Sequence, residues 1–251
     1  MKIRHIIPLA LAAILTISCG GDKKAATSDK TNIVKDVRLP GDSTFYGLAC
    51  DGCTDSVIVV LPSDDSDPVT FNIIEAMRYR KVFGKPKIGD MLAVVRNKDN
   101  KHKADMVIDL EELKGTWVYQ AMPKIKKMPK GRPMPAMKPD PERDSMMQAL
   151  MVPREQGFKI KKQYTMEPVG LTFNKTSLSG EDPVEYPQVK YYKEWNILNG
   201  KLVLTEGTIE IGRKKRKKVR PARDTTEIVL MMKDSLQLKF KNGIKAYYRK
   251  K

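Results

Sequence analysis

Histidine and cysteine are scarce in this 251-residue chain, which holds two of the first and three of the second. A general base working at neutral pH is most often histidine. Neither His5 nor His102 suits that task, and His102, between Lys101 and Lys103, reads as an exposed loop residue. There is no Gly-x-Ser-x-Gly elbow and no phosphate-binding glycine loop, so acyl transfer and nucleotide hydrolysis lack their sequence signatures. Asp64, Asp65 and Asp67 sit in a Ser/Pro loop and read as a solvated turn. Enzymatic function is not expected, and neither a cofactor nor a metal site is assigned. Long helical patterns are missing too: no stretch repeats apolar residues at helical spacing over three turns.

The chain does have a marked N-terminal segment. Lys2 and Arg4 precede an apolar stretch from Ile6 to Ile17, too short to span a hydrocarbon core of ~30 Å. Residues 1–18 read as a secretory signal. Ser18-Cys19-Gly20-Gly21 follows at once and resembles the lipobox of bacterial lipoproteins. That resemblance implies that Cys19 is acylated, palmitate included, and becomes the new N-terminus. Leu15 lies four places before Cys19, and Thr16 holds the place where the pattern prefers leucine. An ordinary cleaved signal and a short buried helix are the alternative readings. Residues 19–41 are polar and read as a tether. The expected location is the cell envelope, anchored by lipid on the periplasmic side of the outer membrane or at the cell surface.

With 47 basic residues against 30 acidic ones, the chain carries a formal charge of +17. In an envelope such a surplus meets lipid head groups and acidic glycans, and nucleic acid is not an expected partner. With Cys19 assigned to lipid, Cys50 and Cys53 remain, and His102 is the one histidine outside the leader. A four-ligand Cys/His zinc site cannot then be assembled within the chain.

Short β-branched and aromatic runs punctuated by Gly and Pro predict an all-β, two-domain chain. Residues 42–112 suggest a small β-barrel or sandwich, open to OB-like closure, with strands at 44–50, 53–61, 69–76, 90–96 and 104–109. Glu111-Glu112-Leu113-Lys114 bridges to a second region, 115–251. There Gly115-Thr116-Trp117 begins one strand. Others span 157–166, 169–174, 189–198, 201–211, 225–232, 236–240 and 244–249, eight in up-and-down order. Asn199-Gly200 and Asn242-Gly243 are hairpin signals, the first suited to a type I′ turn. The apolar phase slips along 201–211, which suggests a bulge at Gly207. A long Met/Pro/Lys-rich connection occupies 122–156.

Eight meandering strands opening on Gly-x-Trp resemble the lipocalin-like proteins, particularly the lipocalin-like lipoproteins of Gram-negative bacteria. In lipocalins an arginine beyond the last strand stacks on that tryptophan and closes the barrel. Trp117 and Arg249 occupy those places here. The resemblance implies a cavity whose inward positions would be Trp195, Ile197, Leu202, Leu204, Leu236, Leu238 and Phe240. Such residues are more often simply core, and plain core is the favoured reading.

Three further motifs each carry a bland and a functional reading. Cys50-Asp51-Gly52-Cys53 lies between strand-like flanks, where an Asp-Gly hairpin turn would set the cysteines opposite each other within disulfide reach. A structural disulfide, a redox pair, and metal contact or free thiols are the readings. With Gly47, the segment also resembles the start of the envelope-stress and copper-resistance lipoproteins, whose N-terminal domain is a small β-barrel with such a motif. Met122, Met128, Met134, Met137, Met146, Met147 and Met151 cluster among prolines and cations, as an adhesive loop or as soft ligands for Cu(I). Arg213, Lys214, Lys215, Arg216, Lys217, Lys218 and Arg220 form a solvated loop or a contact for anionic lipid or glycan. Three functions follow: binding of a small apolar or amphipathic ligand, a structural adaptor acting through 213–220, or copper or envelope-stress sensing.

Overall fold

A computed structural model describes residues 38–64, 66–125, 141–170, 184–207 and 221–251. Residues 1–37, with Cys19 and most of the tether, lie outside the described residues, as do Met128, Met134, Met137, the side chains of Met146 and Met147, and the basic run 213–220.

Two β-systems share one chain. The first contains β1 (Phe45–Ala49), β2 (Val57–Pro62), β3 (Val69–Asn72), α1 (Ile74–Arg78), β4 (Val82–Phe83), β5 (Met91–Arg96) and β6 (Ala104–Asp109). Their sheet order is β3-β2-β1-β5-β6-β4. Asn72 at the end of β3 bridges Lys103 in parallel sense, and its amide donates to the His102 carbonyl at 2.8 Å. This curls β3 round to β6, while α1 buries Ala76 in the core. Meander, helix and parallel return together make a partly open, OB-like barrel. The expected strand at 69–76 ends early, because residues 74–78 form α1 instead.

β5 is apolar on both faces for a structural reason. Leu92 and Val94 face the first barrel's core, whereas Ala93 joins the core of the second. Val107 and Ile108 on β6 divide the same way. A sheet covered on both sides needs a continuous apolar run rather than alternation. After β6, Asp109 caps α2 (Leu110–Leu113) by accepting from the amides of Glu111 and Glu112.

The second system contains β7 (Gly115–Ala121), β8 (Lys124–Ile125), α3 (Pro141–Leu150), β9 (Arg154–Ile160), β10 (Met166–Val169), β11 (Val184–Glu185), β12 (Tyr192–Leu198), β13 (Lys201–Glu206), β14 (Arg223–Met232), β15 (Ser235–Phe240) and β16 (Gly243–Arg249). Eight of these strands form one antiparallel sheet in the order β10-β9-β7-β16-β15-β14-β13-β12. Its edges meet where Thr165 bridges Glu194 and the Trp195 amide donates to the Tyr164 carbonyl at 2.9 Å. The result is a nearly closed up-and-down barrel. β8 and β11 pair separately.

Turn chemistry explains the details. Leu198 pairs with Lys201 around Asn199 (φ 49°) and Gly200 (φ 80°), the left-handed pair of a type I′ turn. At the other hairpin Phe240 pairs with Gly243, so Lys241-Asn242 form the turn instead of Asn242-Gly243. The predicted strand 157–166 is two strands, broken where Gln163 and Tyr164 both take positive φ. The bulge lies across the ladder from its expected site. Lys193 on β12 is the extra residue opposite Thr205 and Glu206, while Gly207 lies against the Tyr191 ring.

Candidate ligand-binding mouth of the barrel

The two ends of the eight-stranded barrel differ. One end, where β7 starts and β16 finishes, is closed. Trp117 is fully buried there, and its indole N–H donates to the Leu113 carbonyl at 2.8 Å. The Arg249 guanidinium lies 4.2 Å above the Trp117 ring and donates to the carbonyls of Glu112, Lys114 and Lys233. Gly115 has φ +138°, and a Cβ there would fall 2.2 Å from Arg249 Nη1. Glycine in the Gly-x-Trp motif therefore makes room for the arginine.

The first barrel covers this same end. Tyr46 donates through its hydroxyl to Asp42 and, at 3.2 Å, to the Ile197 carbonyl. Burial, and then Asp42, push that phenol well above its usual range. Asn199 at the β12–β13 turn accepts from Ser43 and donates to the Gly41 carbonyl. One hydrophobic cluster consequently runs from Tyr46, Phe83, Ala93 and Ile108 into Trp117, Trp195 and Leu238.

The interior is packed. Trp195, Ile197, Leu202, Leu204, Leu236 and Leu238 are each at most 2% exposed within that cluster. These six, suggested from sequence as cavity lining, are core. Phe240, the seventh, is half-buried and borders a real cavity.

That cavity, of about 480 Å³, lies at the opposite end, where β7 and β10 finish and β12, β14 and β16 begin. Its walls are aromatic: Phe158 and Tyr247 have ring centroids 5.0 Å apart, and Tyr119 meets Tyr247 edge-on at 5.7 Å. Tyr119 donates to Gln156, which is itself buried and donates to the Pro187 carbonyl. The segment 187–190 is thereby held against the rim. On the polar side, Asp224 accepts from Lys190 at 2.5 Å and from the Tyr192 hydroxyl at 2.6 Å. Burial pushes the Asp224 carboxyl up, but those two donors outweigh it and hold it below the usual carboxylate range. Burial and the bond to Asp224 raise Tyr192. Burial also raises Tyr119 and Tyr247, so these phenols stay neutral. Lys245 Nζ stands 5.5 Å from the Tyr119 ring centre and 6.0 Å from that of Phe240.

A second crevice, of about 620 Å³, separates the barrels beside Asp109, Glu112 and Arg249. Its polar groups are engaged with the scaffold. Asp109 caps α2, Glu112 accepts from the Lys85 amide at 2.8 Å, and Arg249 serves its three carbonyls.

The other sequence candidates do not converge on the mouth. Cys50 and Cys53 are free thiols here, which departs from the expected disulfide. The register shows why: Ala49 pairs with Val60 and the Cys50 amide donates to Val59, so Cys50 faces Val59 rather than Cys53. Cys53 lies in the turn beyond, its Sγ against the Cys50 and Val59 carbonyls. Met122 is exposed and Met151 half-buried, and His102 is exposed. Among the described residues no group of three or more His, Cys, Asp or Glu is placed to hold a metal ion. None of their helices is long and apolar enough to cross a membrane.

Sequence reasoning missed Tyr119, Phe158, Tyr192, Asp224, Lys245 and Tyr247. Alternation on β16 does set Lys245 and Tyr247 on one face. The rest come from separate strands, and nothing local links them.

Strand order and register thus define an all-β chain in which a small OB-like barrel closes one end of an eight-stranded up-and-down barrel. No protein-family model matches the chain, and no curated protein does. Among solved structures it is similar to a lipocalin-like protein from Bacteroides thetaiotaomicron VPI-5482. The two are 19% identical, with a TM-score of 0.28, over 55% of this chain and 95% of that one.

Proposed function

We propose that this chain is a non-enzymatic, membrane-anchored envelope protein that takes a small apolar or amphipathic molecule into the mouth of its C-terminal barrel. The observation that carries the reading is the cavity of about 480 Å³ walled by Phe158, Tyr247, Tyr119 and Phe240. Its size lies within the range of small-molecule sites, and aromatic walls with a few placed polar groups are their usual lining. The first barrel acts as the plug at the other end, so entry is from one side. Cys19 would supply the anchor.

Titration with N-phenyl-1-naphthylamine, an uncharged apolar fluorophore, tests the binding. Saturation at one equivalent is expected. Val189→Trp, at a half-buried apolar position on the rim, narrows the mouth and should abolish it with the thermal midpoint unchanged. Absence of saturable binding, or persistence in the Trp variant, defeats the reading. Metabolic labelling with an alkynyl palmitate tests the anchor. The label should be lost in Cys19→Ala.

A further inference from the structure

We propose that the mouth selects molecules with an oxyanion head, a carboxylate or sulfate, on a compact apolar body. This rests on the ligand-binding reading above and names the ligand's charge.

Three observations carry it. Among the described residues Asp224 is the one carboxylate lining the cavity, against Lys190, Lys241 and Lys245. Asp224 is already matched: Lys190 and Tyr192 both donate to it, which accounts for the charge of Lys190. Lys241 is near enough to Asp224 to help hold that carboxyl ionised, but neither Lys241 nor Lys245 forms a salt bridge among the described residues. Lys245 instead holds its ammonium over the Tyr119 and Phe240 rings, at the boundary between apolar wall and solvent.

The third observation is Tyr247. It is 6% exposed, lines the cavity, and makes no hydrogen bond among the described residues; its ring is buried, while its hydroxyl is open to the cavity and free to donate there. Its burial keeps it protonated, hence a donor. A neutral donor on the same wall as two ammonium groups that no salt bridge holds is the pattern that receives an anionic oxygen, and charge-assisted bonds of that kind are the strong ones. The head would sit between Lys241, Lys245 and the Tyr247 hydroxyl. The apolar body would lie against Phe158 and Tyr119.

A matched pair of probes separates charge from shape: 1-anilinonaphthalene-8-sulfonate and its uncharged parent, N-phenyl-1-naphthylamine. Both are titrated at one fixed ionic strength, because exposed charges are screened by salt. The sulfonate should bind about tenfold more tightly than the parent. The Lys241→Gln/Lys245→Gln double variant should remove that preference while leaving the parent's affinity within about twofold. Tyr247→Phe, which keeps the aromatic wall and removes the donor, should lower the sulfonate's advantage over the parent about threefold. Val189→Trp should eliminate both. If both probes bind equally, or the double variant keeps the preference, the charge assignment is overturned and the binding function stands. Sulfonate binding that survives in Val189→Trp lies elsewhere on this basic chain and overturns it too. If neither probe saturates, the ligand-binding reading falls first.

Discussion

Replacing Gly115 by alanine should destabilise the fold through Arg249, and a double-mutant cycle can isolate that route. The new Cβ would stand 2.2 Å from Arg249 Nη1, and the backbone at φ +138° is one that L side chains rarely adopt. Strain of this kind costs about 1–3 kcal/mol. Displacing the guanidinium also breaks its bonds to the Glu112, Lys114 and Lys233 carbonyls and its stacking on Trp117. A hydrogen bond to a charged group contributes about 1.5–3 kcal/mol, and the three share one partly exposed group, so together they contribute about 3 kcal/mol. Gly115→Ala should therefore cost about 4 kcal/mol and Arg249→Ala about 3. In the Arg249→Ala background only the backbone strain remains, so the double variant should fall short of the sum by about 3 kcal/mol. Guanidinium chloride unfolding followed by tryptophan fluorescence reads this directly. Costs that add to within about 0.5 kcal/mol would refute the claim that this glycine exists to admit the arginine.

Three more perturbations probe the scaffold. Burial raises the Asp109 carboxyl from 3.8 to about 6, so the folded chain holds that proton more tightly than the unfolded one. Its contribution to stability is full below about pH 4 and is lost as pH rises through about 6, leaving an ionised carboxylate that costs up to about 3 kcal/mol at neutral pH. Asp109→Asn keeps an acceptor for the α2 amides, so it should be more stable than the parent at pH 7 and flatten the slope between pH 4 and 6.5 in urea titrations. An unchanged slope would clear Asp109 of the cost. Asn199→Gly preserves the left-handed turn but loses the bonds to Ser43 and Gly41, and should cost about 1–2 kcal/mol and speed proteolysis near residues 41–43. Asn199→Ala should cost about 1 kcal/mol more, because alanine resists φ near +49°. Cys50 and Cys53, half-buried and unpaired, should each take one equivalent of iodoacetamide in the native protein. Labelling that requires prior reduction would show that they are bonded.

Much of the second barrel is legible locally, and the reason is periodicity. Leu236, Leu238 and Phe240 alternate on one face, and Asn199-Gly200 dictates both a two-residue turn and the register that follows from it. The first barrel reads less well. Residues 69–76 look like one β-run, yet the chain leaves the sheet at Ile73, which docks at 2% exposure beside Phe71 and Ala76 and starts α1. A helix of five residues has too little period to announce itself. The Asp-Gly pair after Cys50 reads as a tight hairpin, but the pairing of Ala49 with Val60 leaves a longer loop. Apolar matching across β1 and β2 sets that register, and a turn preference worth less yields to it.

The amino-acid sequence by itself determined the all-β class, the eight-strand meander and the positions of its main turns, because these depend on side-chain alternation and on residues that tolerate positive φ. Tertiary structure alone decided which end of the barrel is shut and which is open. The shut end needs Gly41, Ser43, Tyr46, Asn199 and Arg249 to make contacts that span 135 to 158 residues of chain. The open end gathers Tyr119, Phe158, Asp224, Lys245 and Tyr247 from strands that become neighbours only when the sheet closes. Trp195 and Leu238 were apolar in either case. Whether they lined a cavity or filled a core depended on packing across the barrel, which no local pattern encodes.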